Sequence, residues 1–115
     1  MNTIGLRFVV LRHEGVPEPH FDLMFETAPG SLLATWRAAE WPLRNGTPLE
    51  RLPDHRRAYL DYEGPVSQNR GHVKRVAAGN HSLIESNTLA DFCVILVTGE
   101  RYRLPQQGSG AAIRL

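Results

Sequence analysis

Leu6-Arg7-Phe8-Val9-Val10-Leu11-Arg12, and after a short gap His20-Phe21-Asp22-Leu23-Met24-Phe25-Glu26-Thr27, are the two runs whose reading decides the fold. Both are rich in β-branched and aromatic residues, and Gly15, Pro17 and Pro19 punctuate the gap between them. Such runs bounded by turn residues read as strands, and a short gap makes them hairpin neighbours. Alternate side chains of a strand share a face. In the second run one face is then Phe21, Leu23 and Phe25, a core face. The other is His20, Asp22, Met24 and Glu26.

Outward from this pair the same pattern repeats. Further strands are expected over residues 31–37 and 57–62. Two more, over 72–76 and 81–85, flank a turn at Gly79-Asn80. Residues 92–97 and 102–104 form a hairpin around Thr98-Gly99-Glu100, and 111–115 close the series after a loop over 106–110. Pro42, Asn45-Gly46 and Pro48 mark a loop, and 32–41 is the best rival helical stretch. Many short strands at this spacing favour a barrel or sandwich. The expectation is a mainly β fold: a single domain over residues 1–115, built as a small closed or nearly closed β-barrel with short helical turns.

Composition narrows the rest. The 115 residues are 42% hydrophobic and 22% charged, ordinary for a globular chain with one core. A formal charge of +1 sets up no global field toward nucleic acid, so DNA binding needs a local basic patch. Arg51, Arg56, Arg57, Arg70, Lys74 and Arg75 offer one, or a solvated face. The single cysteine, Cys93, lies in an apolar run and reads as a buried hydrophobe. With no leader-like segment and no run of membrane-spanning length, a cytoplasmic protein without membrane contact is expected. Trp36 reads as core rather than as a base-stacking platform, with Trp41 a second candidate for stacking. His72 and His81 read as surface residues.

A histidine and a carboxylate two apart on one strand face, with Cβ atoms roughly 7 Å apart, can converge on one ion. His13 ends the preceding strand beside them. Two imidazoles and a carboxylate suit Mn²⁺, Zn²⁺ or Fe²⁺ with positions left open for substrate. The spacing also admits three unrelated polar residues on a half-exposed strand.

The order of motifs bears on that choice. Residues 7–13, then His20-Phe21-Asp22, Leu33-Ala34-Thr35-Trp36, Asp54-His55, Tyr59, Asp61-Tyr62-Glu63-Gly64 and Gly71-His72-Val73 resemble, in sequence order, the 3′-phosphoesterase domain of bacterial DNA ligase D. The likeness is good over residues 7–79 and loose beyond. It implies a compact barrel that trims 3′ ends of DNA or RNA–DNA primers, removing a terminal ribonucleoside or 3′-phosphate with Mn²⁺, or with Zn²⁺ or another divalent metal. Carried over by position, His13, His20 and Asp22 hold the metal, while His55 and Tyr59 face the phosphate. The expected partner is a nucleic-acid 3′ end. A ligase or polymerase, for which 115 residues leave no room, would be a separate protein. If a strand begins at His55, then His55, Arg57, Tyr59 and Asp61 share its face.

Three features depart from that family. Met24 stands where an arginine usually follows the metal-binding Asp by two residues; Arg57, also a catalytic candidate, and Arg51 and Arg70 are the candidate phosphate-binding replacements. Only seven residues precede Phe8, and Ser67-Gln68 replaces a usual Glu-Gly. Two other readings therefore stand beside a divergent enzyme. One is a catalytically decayed barrel that binds a nucleic-acid end, a nucleotide or a protein. The other is a 2-His-1-carboxylate iron oxygenase.

Overall fold

The computed structural model describes residues 3–84 and 91–115. Among them ten strands form one antiparallel sheet: β1 Thr3–Glu14, β2 His20–Glu26, β3 Leu33–Ala38, β4 Pro48–His55, β5 Gly64–Pro65, β6 His72–Ile84, β7 Asp91–Leu96, β8 Arg101–Pro105, β9 Ser109–Ala111 and β10 Ile113–Arg114. A 3-10 helix, Arg57–Leu60, follows β4. The order across the sheet is β10-β8-β7-β6-β1-β2-β3-β4-β9, with β5 paired to β6 off this path. The sheet curls until β9 packs on β8, and the Trp36 indole N–H donates to the Pro105 carbonyl at 2.6 Å across the join. The result is the expected nearly closed barrel. No helix among the described residues is long and apolar enough to cross a membrane.

β1 is the spine because it is apolar on both faces. Phe8 and Val10 point into the barrel with Leu23, Phe25, Trp36, Phe92 and Leu104. Val9 and Leu11 point outward into a second cluster with Met24, Leu33, Leu60 and Val73. That outer cluster exists because the 3-10 helix and the β5–β6 turn lie over this part of the barrel wall. Trp36 is thus core, and Cys93 is buried as expected. A one-residue shift between Val10 and Leu11 in the β1–β6 ladder marks a bulge, which adds local twist.

Several expectations need correction. Residues 57–62 are not a strand but the 3-10 helix and its exit, with Leu60 turned into the outer cluster. The loop expected after Pro42 ends early, since residues 48–55 pair with both β3 and β9. The turn at Gly79-Asn80 is absent: β6 runs continuously from His72 to Ile84, and residue 85 lies outside the described residues. Residues 32–41 contain β3 and no helix. The closing segment is two short strands, β9 and β10, on opposite ends of the sheet order.

His81 is the clearest reversal. Instead of lying on the surface it is 2% exposed, packed edge-on to Phe8 and Phe25 inside the barrel. Burial pushes its pKa down from 6.5 to about 4, against weaker opposition from the Glu26 backbone and carboxylate charge and from the Arg7 backbone. Neither ring nitrogen reaches a partner in hydrogen-bond geometry. The folded chain therefore holds this imidazole neutral, while the unfolded chain protonates it below about pH 6.5. Stability from this group is complete above pH 6.5 and lost as pH falls toward 4, on the order of 3 kcal/mol in all. Urea unfolding of the wild type between pH 7 and 4.5 should show that slope, and His81→Leu should flatten it.

Candidate metal centre

The β1–β2 ladder pairs Leu11 with Asp22 and His13 with His20. Directly paired residues point to the same side of a sheet, so His13, His20 and Asp22 project together from the outer face. His20 and Asp22 are buried, and His13 is half-buried at the cavity edge. This is not the half-exposed strand face that the spacing also admitted: His20, Asp22, Met24 and Glu26 are all buried. One ligand atom from each of His13, His20 and Asp22 lies within 4.8 Å of the others.

The hydrogen bonds settle which ring nitrogens face the site. His13 Nε2 lies 2.7 Å from the Arg70 carbonyl, and His20 Nδ1 lies 2.8 Å from the Glu18 carbonyl. A carbonyl only accepts, so each of these nitrogens carries the hydrogen. The other nitrogen of each ring is left facing Asp22: His13 Nδ1 is 3.4 Å from Oδ2, and His20 Nε2 is 3.3 Å from Oδ1. With neutral imidazoles, lone pairs then meet lone pairs, and Asp22 Oδ1 is buried without a hydrogen-bond partner. A cation at their centre removes the conflict. Bond lengths of ~2.0–2.2 Å to nitrogen and oxygen place donors around one ion ~3–3.5 Å apart, close to both distances. Holding the second ring nitrogen on a carbonyl is also how metal-binding histidines are usually oriented.

Local backbone makes this possible. Arg70 reaches His13 because the chain at Gly71 presses against β1, where an added Cβ would lie 2.1 Å from the Glu14 carbonyl oxygen. Gly71 also has a φ of +75°, which side-chain-bearing residues rarely adopt.

The three donors line a cavity of about 590 Å³ that also takes in Met24, His55, Tyr59, Arg37 and Arg70. His55 Nδ1 donates to the Pro53 carbonyl at 2.8 Å, which leaves Nε2 free, and its ring centre is 5.9 Å from that of Tyr59. His55 ends β4 and Tyr59 lies in the 3-10 helix that follows, so the parity that grouped them with Arg57 and Asp61 does not exist. Arg57 leaves the cavity: it donates to Glu26 Oε2 at 2.6 Å and to the Ser31 carbonyl at 2.9 Å. Asp61 pairs with Arg7 at 2.7 Å. These two ion pairs clamp the 3-10 helix to the barrel. Burial pushes the Glu26 carboxyl up, but the Arg7 backbone N–H and the Arg57 guanidinium together hold it below its ordinary value.

Arg51 is likewise engaged elsewhere. It lies over the Trp36 ring and bonds the Thr35 and Leu52 carbonyls and Asp54. Arg70 lines the cavity, with its guanidinium held by Ser67. The cation that the sequence reading missed is Arg37. It is paired across the ladder with Asp22, lines the cavity, and among the described residues has Glu50, at 3.9 Å, as its one ion-pair partner. Its one sequence signal is that it follows core-facing Trp36 and so must face the other way.

Two outcomes follow. Mn²⁺ or Zn²⁺ should raise the melting temperature of the wild type, since a ligand at ~100 times its Kd stabilises by ~2.7 kcal/mol. Asp22→Asn should abolish that shift without lowering the metal-free melting temperature. Arg57→Ala should lower stability by about 1–3 kcal/mol, the worth of hydrogen bonds to a charged group, while leaving metal binding intact by calorimetry. Neither a scan against protein-family models nor a search of curated proteins finds a match to this chain.

Proposed function

We propose that this chain is a divergent phosphoesterase of the ligase D kind, acting with a divalent metal, Mn²⁺ foremost, on 3′-phosphate or terminal ribonucleoside ends of DNA or RNA–DNA primers. The observation that carries the reading is the meeting of His13, His20 and Asp22 in one cavity with His55 and Tyr59. These five are the positions that the motif series marks. A cytoplasmic setting, beside a separate repair ligase or polymerase, fits it.

His13 Nδ1, His20 Nε2 and Asp22 would hold the metal, which when bound supplies charge neutralisation at a phosphate oxygen and a more acidic water. The chain's own groups do the rest. Tyr59 donates its phenol hydrogen to a phosphate oxygen. Arg37 and Arg70 set guanidinium charge along the same cavity, where planar paired donors suit a phosphate. A water oxygen bonds to phosphorus as the bond from phosphorus to the 3′ oxygen breaks; His55 Nε2–H gives the leaving oxygen a proton, and the attacking water gives up one of its own to solvent. Met24 offers no charge, and its burial at the cavity wall favours a second reading: a barrel that binds a 3′ end without turning it over.

A 3′-phosphorylated primer–template with Mn²⁺ should release inorganic phosphate, and chelation of the metal should stop it. His55→Ala should slow release by ~10²–10⁴-fold, the usual worth of general acid–base catalysis. Arg37→Ala should lower kcat/KM by about ten- to a hundred-fold, as loss of a charged hydrogen bond does. Retained binding with no release would select the second reading.

A further inference from the structure

A second, smaller cleft of about 260 Å³ adjoins the metal cavity and is lined by Arg56, Tyr59, Tyr62, Pro65, Val66 and Ser67 among others. Tyr59 and Val66 line both, so the two spaces share a wall. Tyr62 meets Tyr59 edge-on at 6.0 Å between ring centres and is 37% exposed. Its hydroxyl donates to the Pro65 carbonyl, which pins the ring in place before anything binds. Arg56 lies with its guanidinium 6.0 Å from the Tyr59 ring centre. Neighbouring Arg51, Arg57 and Arg75 each meet a carboxylate, whereas Arg56 has no ion-pair partner among the described residues.

From this arrangement we propose that the cleft of Arg56, Tyr59 and Tyr62 receives a nucleobase, that of the nucleotide whose 3′-phosphate lies against His55; the inference rests on the proposed function above. Rigid aromatic rings beside an unpaired cation are the means by which single-stranded nucleic acid is held without regard to sequence, since every base has a π-face and Arg adds charge. A pinned ring loses little freedom on binding. Among the described residues Ser67 is the one uncharged hydrogen-bonding side chain at the cleft besides the two phenols, so the site reads the presence of a base and not its identity. Tyr59 separates base from phosphate and touches both, which lets one strand end occupy both spaces.

The test uses the full chain with Mn²⁺ and two 3′-phosphorylated oligonucleotides, one ending in an ordinary nucleotide and one in an abasic residue. The wild type should prefer the ordinary end by roughly five- to a hundred-fold in kcat/KM, the worth of one stacked base. The four bases should agree within about threefold, since stacking tolerates any base. Arg56→Ala and Tyr62→Leu should slow the ordinary end, spare the abasic one and collapse the preference. Because the readout is a ratio within one protein, partial loss of folded enzyme does not imitate it. Equal rates on both ends in the wild type, or variants that slow both ends alike, overturn the inference while leaving the phosphoesterase standing. If the protein binds without turnover, the same ratio is read from Kd by fluorescence anisotropy. Neither release nor binding of either end would remove the proposed function and this cleft's role with it.

Discussion

The antiparallel register between β1 and β2 is the constraint on which the rest depends. It sets His13 opposite His20 and Leu11 opposite Asp22, and so puts three donor side chains on one face. A slip of one residue would turn every β2 side chain to the other face. Phe21, Leu23 and Phe25 would leave the barrel core, and Asp22 would enter it. The hydrophobic effect therefore enforces the donor geometry indirectly: burial of Leu23 and Phe25 against Trp36 and Phe92 is what keeps Asp22 beside the histidines. β1 reinforces this by being apolar on both sides, which anchors the outer face to its own cluster.

The cluster itself works against folding. Two imidazole nitrogens directed at a buried carboxylate, with Asp22 Oδ1 unpartnered, are unfavourable in the absence of shared protons or a cation. The chain offsets this with a rigid surround. Carbonyls from two different loops, at Glu18 and Arg70, fix the rings. The Arg57–Glu26 and Arg7–Asp61 pairs fasten the 3-10 helix that carries Tyr59. Local cost compensated by surrounding structure is the usual mark of a functional site.

How much of this was legible in the sequence depended on which force dominated locally. β2 follows hydrophobic alternation, while β1 and β7 are apolar runs bounded by turn residues, and patterning of either kind is visible. The barrel and the shared face of His20 and Asp22 followed from it. Residues 48–55 were unreadable because Pro48 and Pro53 mask a strand whose pairing comes from β3 and β9. Residues 57–62 carry an alternating pattern by accident; the local decision there belongs to Leu60, which closes the outer cluster, and to two ion pairs with distant partners. His55 and Tyr59 still meet, because the chain turns from the end of β4 straight into the 3-10 helix and brings Tyr59 back beside it. His81 was misread since its neighbours are aromatic rings, which leave no polar signature at any fixed spacing. Arg37 was overlooked because its tie to Asp22 is made across a ladder and not along the chain.

That last tie bears on the arginine that the resemblance to the ligase D domain leads one to expect at position 24. Two residues along β2 from Asp22, at roughly 7 Å, stands Met24; directly across the ladder, at roughly 5 Å, stands Arg37. Both positions share the face that carries the donors. A sheet thus offers two routes by which a guanidinium can reach the same space, one along the strand and one across it, and the second is the shorter. If the charge is supplied from β3, as the proposed function has it, position 24 need only answer to packing. Methionine there joins Val9, Leu11 and Leu33 in the outer cluster, at 1% exposure. The loose contact of Arg37 with Glu50, at 3.9 Å, leaves the guanidinium half-exposed and free to turn toward an anion. Under the proposed function, the change at position 24 is therefore a relocation of phosphate-binding charge by one strand, with the old position given over to the core.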